Sequence, residues 1–221
     1  MIEKEFRGQI FKFMETKTAP ALVEEIFSDN YKVFESGLEV LRGDIILDLG
    51  ANEGMFSIMM GKLFPEASII AYEPVPETFG VLCKNIEAND ARNVTAYQFG
   101  AGAPGDSLVE MNVSKDYSGG STSKCTFVSG DHKKVDAHLV SLDKIFKAHN
   151  ISRCKLMKVD IEGMEYEALY YTSVLDRVDN MAIEVHMNHR LEFEGRRADG
   201  LITWLSERTN LIHVELCRMA E

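Results

Sequence analysis

The sequence predicts an α/β fold, with one doubly wound, mostly parallel sheet, an N-terminal helical extension and an antiparallel insertion. Three observations carry that expectation. From residue 44 onward, short apolar runs alternate five times with segments of helical period. The runs are continuous rather than alternating, as in strands covered on both faces, and parallel neighbours need crossovers through helices. A length of 221 residues with 45% hydrophobic and 27% charged side chains suits one domain with a substantial core.

Residues 3–16 and 20–34 read as two helices. Phe6, Ile10, Phe13 and Met14 stand at helical spacing, as do Leu22, Val23, Ile26 and Phe27, with Pro20 at a first-turn position. This predicts a helical cap over 1–36 joined to the α/β domain over 37–221 as one structural unit. In that domain strands are expected at 44–49, 68–73, 93–100, 154–160, 180–187 and 211–217. Helices are expected at 54–64, 76–90, 142–149, 163–173 and 197–209. Residues 107–113 and 135–140 alternate like an antiparallel pair, and Gly119-Gly120-Ser121-Thr122-Ser123 between them predicts a mobile loop. Only one strand follows the last helix.

Charge and cysteine usage narrow the function classes. A net charge of -11, from 35 acidic and 24 basic residues, argues against nucleic-acid or anionic-membrane binding, which need a basic face. Cys83, Cys125, Cys154 and Cys217 show no CxxC spacing and read as buried reduced thiols. The first residues mix charge with apolar groups and form no signal-peptide core, and no apolar run approaches the ~20 residues of a membrane span. The expected location is the cytoplasm.

In doubly wound sheets, ligands bind beyond the carboxyl ends of the strands, where strand order reverses. The first strand runs into Asp48-Leu49-Gly50-Ala51-Asn52-Glu53-Gly54. Gly50 permits a tight turn and Gly54 lets the next helix pack closely, so backbone can approach a ligand between them. The loop is not GxGxxG, and Glu53 would repel a pyrophosphate at a helix N-terminus. Acidic residues suit the cationic amino and sulfonium groups of S-adenosylmethionine. Glu73, 23 residues after Gly50, is placed to bind ribose hydroxyls, with Pro74 and Pro76 directing the chain out of the strand. The third strand ends at Gly100, toward which an adenine would extend; Phe99 beside it reads as core. The fourth ends in Lys158-Val159-Asp160-Ile161-Glu162-Gly163-Met164-Glu165, with Lys158 and Asp160 of one parity and Glu162 and Glu165 opening the next helix. The fifth ends in Glu184-Val185-His186, again two polar residues of one parity.

The set resembles the FkbM-type methyltransferase family. The matching pieces are the Asp48–Gly54 run, Glu73-Pro74-Val75-Pro76 with Asn85, Ser141-Leu142-Asp143, the Lys158–Glu165 run and Glu184-Val185-His186, spanning about residues 44–188. The resemblance implies a class I, Rossmann-like methyltransferase fold and O-methylation of sugar or natural-product hydroxyls. It implies cofactor binding by Gly50, Asn52 and Glu73, and Asp160 between cofactor and acceptor. The site expected on residues and resemblance together comprises Asp48, Gly50, Ala51, Asn52, Gly54, Glu73, Pro74, Gly100 and Asp160 around S-adenosylmethionine. His186 is expected as general base, because its ordinary pKa lies near neutrality, with Asp160 second.

The expected partner is a small hydroxylated acceptor; a homodimer is compatible with the sequence. Three rivals stand beside this reading. Asp160, Glu184 and His186 offer oxygen and nitrogen ligands to Mg²⁺, which would make the reaction metal-assisted; the metal-free reading ranks first. A non-catalytic binding module could keep the fold. A dinucleotide oxidoreductase is disfavoured by the missing GxGxxG and by Glu53.

Overall fold

A computed structural model describes residues 1–105, 107–114 and 132–218. The alternating region forms a six-stranded, wholly parallel sheet. Its strands are β3 (Ile45–Leu49), β4 (Ser68–Tyr72), β5 (Val94–Tyr97), β9 (Cys154–Val159), β10 (Val178–Met187) and β11 (Asn210–Arg218), in the spatial order β11-β10-β9-β3-β4-β5. Connections run outward in one direction from β3 and in the other from β9. The reversal therefore falls between β3 and β9, whose register pairs Asp48 with Lys158 and Leu49 with Val159.

Alternate strand residues divide the core in two. Leu47, Leu49, Met157, Val159, Ile183 and Val185 pack against α4 (Leu142–Ala148), α5 (Glu165–Leu169) and α7 (Ala198–Ser206). Ile46, Ile69, Leu156 and Ala182 pack against α1 (Ala19–Phe27) and α2 (Met55–Leu63). On that second side α3 (Pro76–Ala88) also places Leu82 against Ala51 and Ala71. A short helix, α6 (His189–Phe193), follows β10 without a sequence expectation behind it. Helix α5 starts later than the expected 163, after the left-handed φ of Glu162 and Gly163, and it ends at Leu169 rather than 173.

The N-terminal segment departs from the helical reading. Residues 2–13 form an antiparallel hairpin, β1 (Ile2–Phe6) and β2 (Gln9–Phe13), with Ile2 opposite Phe13 and Phe6 opposite Gln9. Arg7 and Gly8 both have positive φ, as the two central residues of a tight hairpin turn must. Phe11 and Phe13, one strand period apart, are fully buried, while Ile10 is exposed. Tertiary burial thus selected the period-2 face over the helical spacing. Only α1 is helical, and Pro20 does occupy its first turn. The cap is therefore a hairpin plus one helix, packed on the α2 side of the sheet.

The insertion is antiparallel as expected: β7 (Ser107–Ser114) pairs with β8 (His132–Val140), and β8 also pairs in parallel with β6 (Gly100–Ala101). The expected third strand is thus split: β5 ends at Tyr97, and Gly100 leaves the main sheet to form β6 with Ala101. The Gly119–Ser123 expectation lies outside the described residues. Phe99 is exposed and meets His138 edge-on rather than joining the core. Cys154 is buried and free, as expected, but Cys83 is exposed; Cys125 lies outside the described residues. Among the described residues β11 is the outer edge next to β10. No described helix is long and apolar enough to cross a membrane.

Candidate active site

The strand reversal opens a cleft at the carboxyl end of the sheet, about 580 Å³ including the open space at its mouth. It is lined by Gly50 and Asn52 after β3, by Glu73 and Pro74 after β4, and by Asp160, Ile161 and Glu162 after β9. The small sheet supplies an apolar wall from Gly100, Ala101, Met111 and Leu139. Six of the expected residues therefore meet there: Gly50, Asn52, Glu73, Pro74, Gly100 and Asp160.

Gly50 sits at φ 78°, and a Cβ there would overlap the carbonyl oxygen of Asp160. The amide of Asp160 donates to Leu49 O at 3.0 Å, so the two loops are stitched across the reversal. Only glycine allows both the turn and the approach. Glu73 is held from two sides: Oε2 accepts from the amide of Asn52 at 3.0 Å and Oε1 from that of Val75 at 2.9 Å. Burial nevertheless outweighs these bonds and pushes its carboxyl up to about 7. The buried side-chain oxygen of Asn52 has no hydrogen-bond donor.

Four expected contact residues stand elsewhere. Asp48 is fully buried beneath the loop, where it accepts from Ser57 Oγ at 2.6 Å and pairs with Lys158 at 3.5 Å. It braces the site and does not line it. Ala51 is buried and its amide donates to Tyr72 O. Gly54 begins α2 at φ 88°, where a Cβ would run into Leu82, so its smallness serves helix packing. His186 lies behind Asp160 and Glu162, outside the cleft lining. Its Nδ1 meets Glu165 Oε1 at 2.9 Å, and its Nε2 lies 3.6 Å from Glu162 and 3.9 Å from Asp160. Burial opposes the charged ring, but hydrogen bonds to Cys217 and Glu165, with the charges of Glu165 and Glu162, raise its pKa to about 12. Standing outside the cleft lining, the ring is not placed to take a proton from an acceptor there, as the general-base role expected of it requires.

Glu53, read as a partner for cofactor cations, turns away from the cleft. Its carboxylate accepts from Thr16 Oγ1 at 2.8 Å and Thr18 Oγ1 at 2.6 Å, and its carbonyl accepts from Asn85. Asn85 Oδ1 in turn accepts from the amide of Met14 at 2.7 Å. These bonds tie the N-terminal segment to the glycine loop.

That segment also reaches the charged floor of the site. Tyr31 is buried and donates to Asp160 Oδ2 at 3.1 Å. Lys158 donates to Gly50 O at 2.7 Å and lies 3.4 Å from Asp160, with its ammonium 5.4 Å from the Tyr31 ring centroid. Burial works against that ammonium, yet Asp160, Asp48 and Glu184 together raise its pKa. Burial and the charges of Glu184 and Asp160 push Glu25 of α1 up to about 7. Burial likewise raises Glu162 to about 8, against the pull of His186. Tyr31, Glu25, Met111 and Leu139 carried no signal in sequence, being brought in from distant segments. Lys158 did carry one: a lysine inside an apolar strand on the parity of Asp160 needs a buried partner.

Comparisons with known proteins agree with this geometry. Methyltransferase 1 of Beauveria bassiana (strain ARSEF 2860) is 30% identical over 159 residues, covering 63% of this chain and 64% of that protein. Methyltransferase sdnD of Sordaria araneosa is 32% identical over 181 residues, covering 68% of each chain. The 31-O-demethyl-FK506 methyltransferase FkbM of Streptomyces tacrolimicus is 25% identical over 195 residues, 76% of this chain and 75% of that one. The chain thus spans between about two thirds and three quarters of the length of these relatives. The family model described as the methyltransferase FkbM domain matches residues 48–212, from Asp48 beneath the glycine loop into the last strand, and the chain belongs to that family.

Proposed function

We propose that this protein transfers the methyl group of S-adenosylmethionine to a hydroxyl of a small molecule, a sugar or a natural product. The observation that carries the reading is the placement of Glu73 and Asp160 on opposite walls of one cleft at the strand reversal. Family membership supports methyl transfer, and the name of the Streptomyces relative, a 31-O-demethyl-FK506 methyltransferase, supports oxygen as the acceptor atom.

The residues present suit the cofactor. Glu73, already immobilised by two amides, would take the ribose hydroxyls, and the donor-less oxygen of Asn52 is an acceptor awaiting a polar ligand. Met111, Leu139 and Ala101 offer an apolar wall for a base. Asp160 and Glu162 present their carboxyl groups toward the cationic end. When bound, the cofactor supplies an electrophilic methyl on sulfonium sulfur. The chain's own task is to hold the acceptor oxygen in line with that carbon, which can supply several kcal/mol of rate enhancement. The hydroxyl proton must leave at the Asp160–Glu162 edge. There Asp160 Oδ2 is occupied by Tyr31 and Lys158, while the buried Oδ1 accepts no hydrogen bond.

Calorimetry with S-adenosylhomocysteine should show micromolar binding, about -8 kcal/mol. Radiolabelled methyl transfer to hydroxylated metabolite pools should then fall roughly 10²–10⁴-fold in Asp160→Asn. Tighter binding of NAD than of S-adenosylhomocysteine would refute the cofactor. Binding without transfer to any pool would favour a non-catalytic module.

A further inference from the structure

We propose that Asp160, Glu162 and His186 form a divalent-cation site on the cleft wall, where the ion binds the acceptor hydroxyl and acidifies it. The inference rests on the methyl-transfer reading and specifies how the Asp160–Glu162 edge removes the proton.

The donor atoms are already spaced as ligands. His186 Nε2 lies 3.6 Å from Glu162 Oε2 and 3.9 Å from Asp160 Oδ1, and one donor atom from each of the three lies within 4.8 Å of the others. Two ligands each about 2.1 Å from one ion are about 3.4 Å apart at a tetrahedral angle, and farther apart as the angle opens. The observed gaps therefore accommodate an ion with little side-chain motion. Asp160 Oδ1, the oxygen turned toward the imidazole, accepts no hydrogen bond.

Two independent features point the same way. Glu165, only 1% exposed, holds Nδ1 of His186 at 2.9 Å and so directs Nε2 at the two carboxylates. Ligating histidines are commonly oriented by a carboxylate on the other nitrogen in this way. Glu184 beside His186 is only 8% exposed, and its Oε1 accepts no hydrogen bond although a ligand-capable atom of His186 lies within 4.8 Å of its carboxylate. Because Asp160 and Glu162 also line the cleft, an open ligand position would face the acceptor. A hydroxyl bound there would lose its proton to solvent water, and its oxygen would attack the methyl carbon as the carbon–sulfur bond broke.

The test is Mn²⁺ titration of the chelator-treated full chain, followed by electron paramagnetic resonance, with S-adenosylhomocysteine calorimetry in parallel. One Mn²⁺ per chain is expected in the wild type. Glu162→Gln and His186→Gln should each weaken it at least about tenfold, and Glu165→Gln about tenfold by misorienting the ring. Glu162→Gln, isosteric and at a loop position, keeps the test alive if the buried histidine variant fails to fold. Methyl transfer should vanish with chelator and return with Mn²⁺, while S-adenosylhomocysteine binding persists throughout. Absence of saturable Mn²⁺ binding, with or without S-adenosylhomocysteine, would overturn the site. So would binding that Glu162→Gln leaves unchanged. Failure of S-adenosylhomocysteine to bind at all would instead overturn the methyl-transfer reading.

Discussion

On the β4 side of the cleft, one carboxylate is held by backbone: Glu73 sits between the amides of Asn52 and Val75. On the β9–β10 side, carboxylates from three segments crowd around two cations. Asp48, Asp160 and Glu184 surround Lys158, while Glu162 and Glu165 flank His186. Backbone amides cannot titrate or move far, so the first wall is a rigid receptor whose proton is set by burial and by ligand. The second is a mutual network, in which removing one charge strands others in a medium of low polarity. The proposed function puts binding on the first wall and reaction on the second.

The largest expected effect separates the walls by stability. Lys158→Met should cost about 3–5 kcal/mol of folding free energy, because Asp48, Asp160 and the carbonyl of Gly50 lose their shared donor. Thermal or urea unfolding measures it. A variant as stable as wild type would mean that the second wall is not a network.

Glu73→Gln should show the opposite balance. It keeps the shape and one acceptor for the backbone, so unfolding should change less than in Lys158→Met. Affinity for S-adenosylhomocysteine should fall by about 1.5–3 kcal/mol, roughly 10- to 150-fold. Normal binding combined with early melting would make Glu73 a structural brace like Asp48.

The smallest effect is a pH dependence. Burial raises Glu73 to about 7, whereas ribose hydroxyls donate to the ionised carboxylate. Below pH 7 binding must therefore expel a proton. Affinity should rise with pH by up to about tenfold per unit (about 1.4 kcal/mol) and level off above 7. The unliganded protein behaves inversely: an acid raised from 4.5 to about 7 favours folding at low pH, and that contribution declines between these values and stays constant above them. Glu73→Gln should flatten both profiles. A calorimetric pH series that leaves the wild-type and variant profiles parallel would show that another group is responsible.

Much of the fold was legible because buried parallel strands announce themselves as continuous apolar runs ended by Gly or Pro. The runs before Gly50 and Pro74 became β3 and β4 with ends shifted by a residue. The hairpin was not legible as such. Phe6, Ile10, Phe13 and Met14 satisfy helical spacing, while Phe11 and Phe13 satisfy strand spacing, and nothing local ranks them except the Arg7-Gly8 turn. A twelve-residue segment takes the form that buries its aromatics on α1: Phe11 and Phe13 pack edge-on against Phe27.

Sequence alone determined which residues stand at strand ends, and hence the Gly50 turn, Glu73 and Asp160, because strand period and glycine conformation are local properties. It also placed Lys158 with Asp160, and Glu184 with His186, on shared faces, since parity follows from the strand itself. Only the tertiary structure decided which of these groups reach the cleft. Asp48 went beneath the loop to pair with Lys158, Glu53 turned away from the cleft to Thr16 and Thr18, and His186 moved behind Asp160 under the hold of Glu165. Tyr31 arrived from 129 positions away. The physical reason is that a buried charge is placed by its partner, and partners across a sheet are chosen by strand order and register, not by neighbours in the chain.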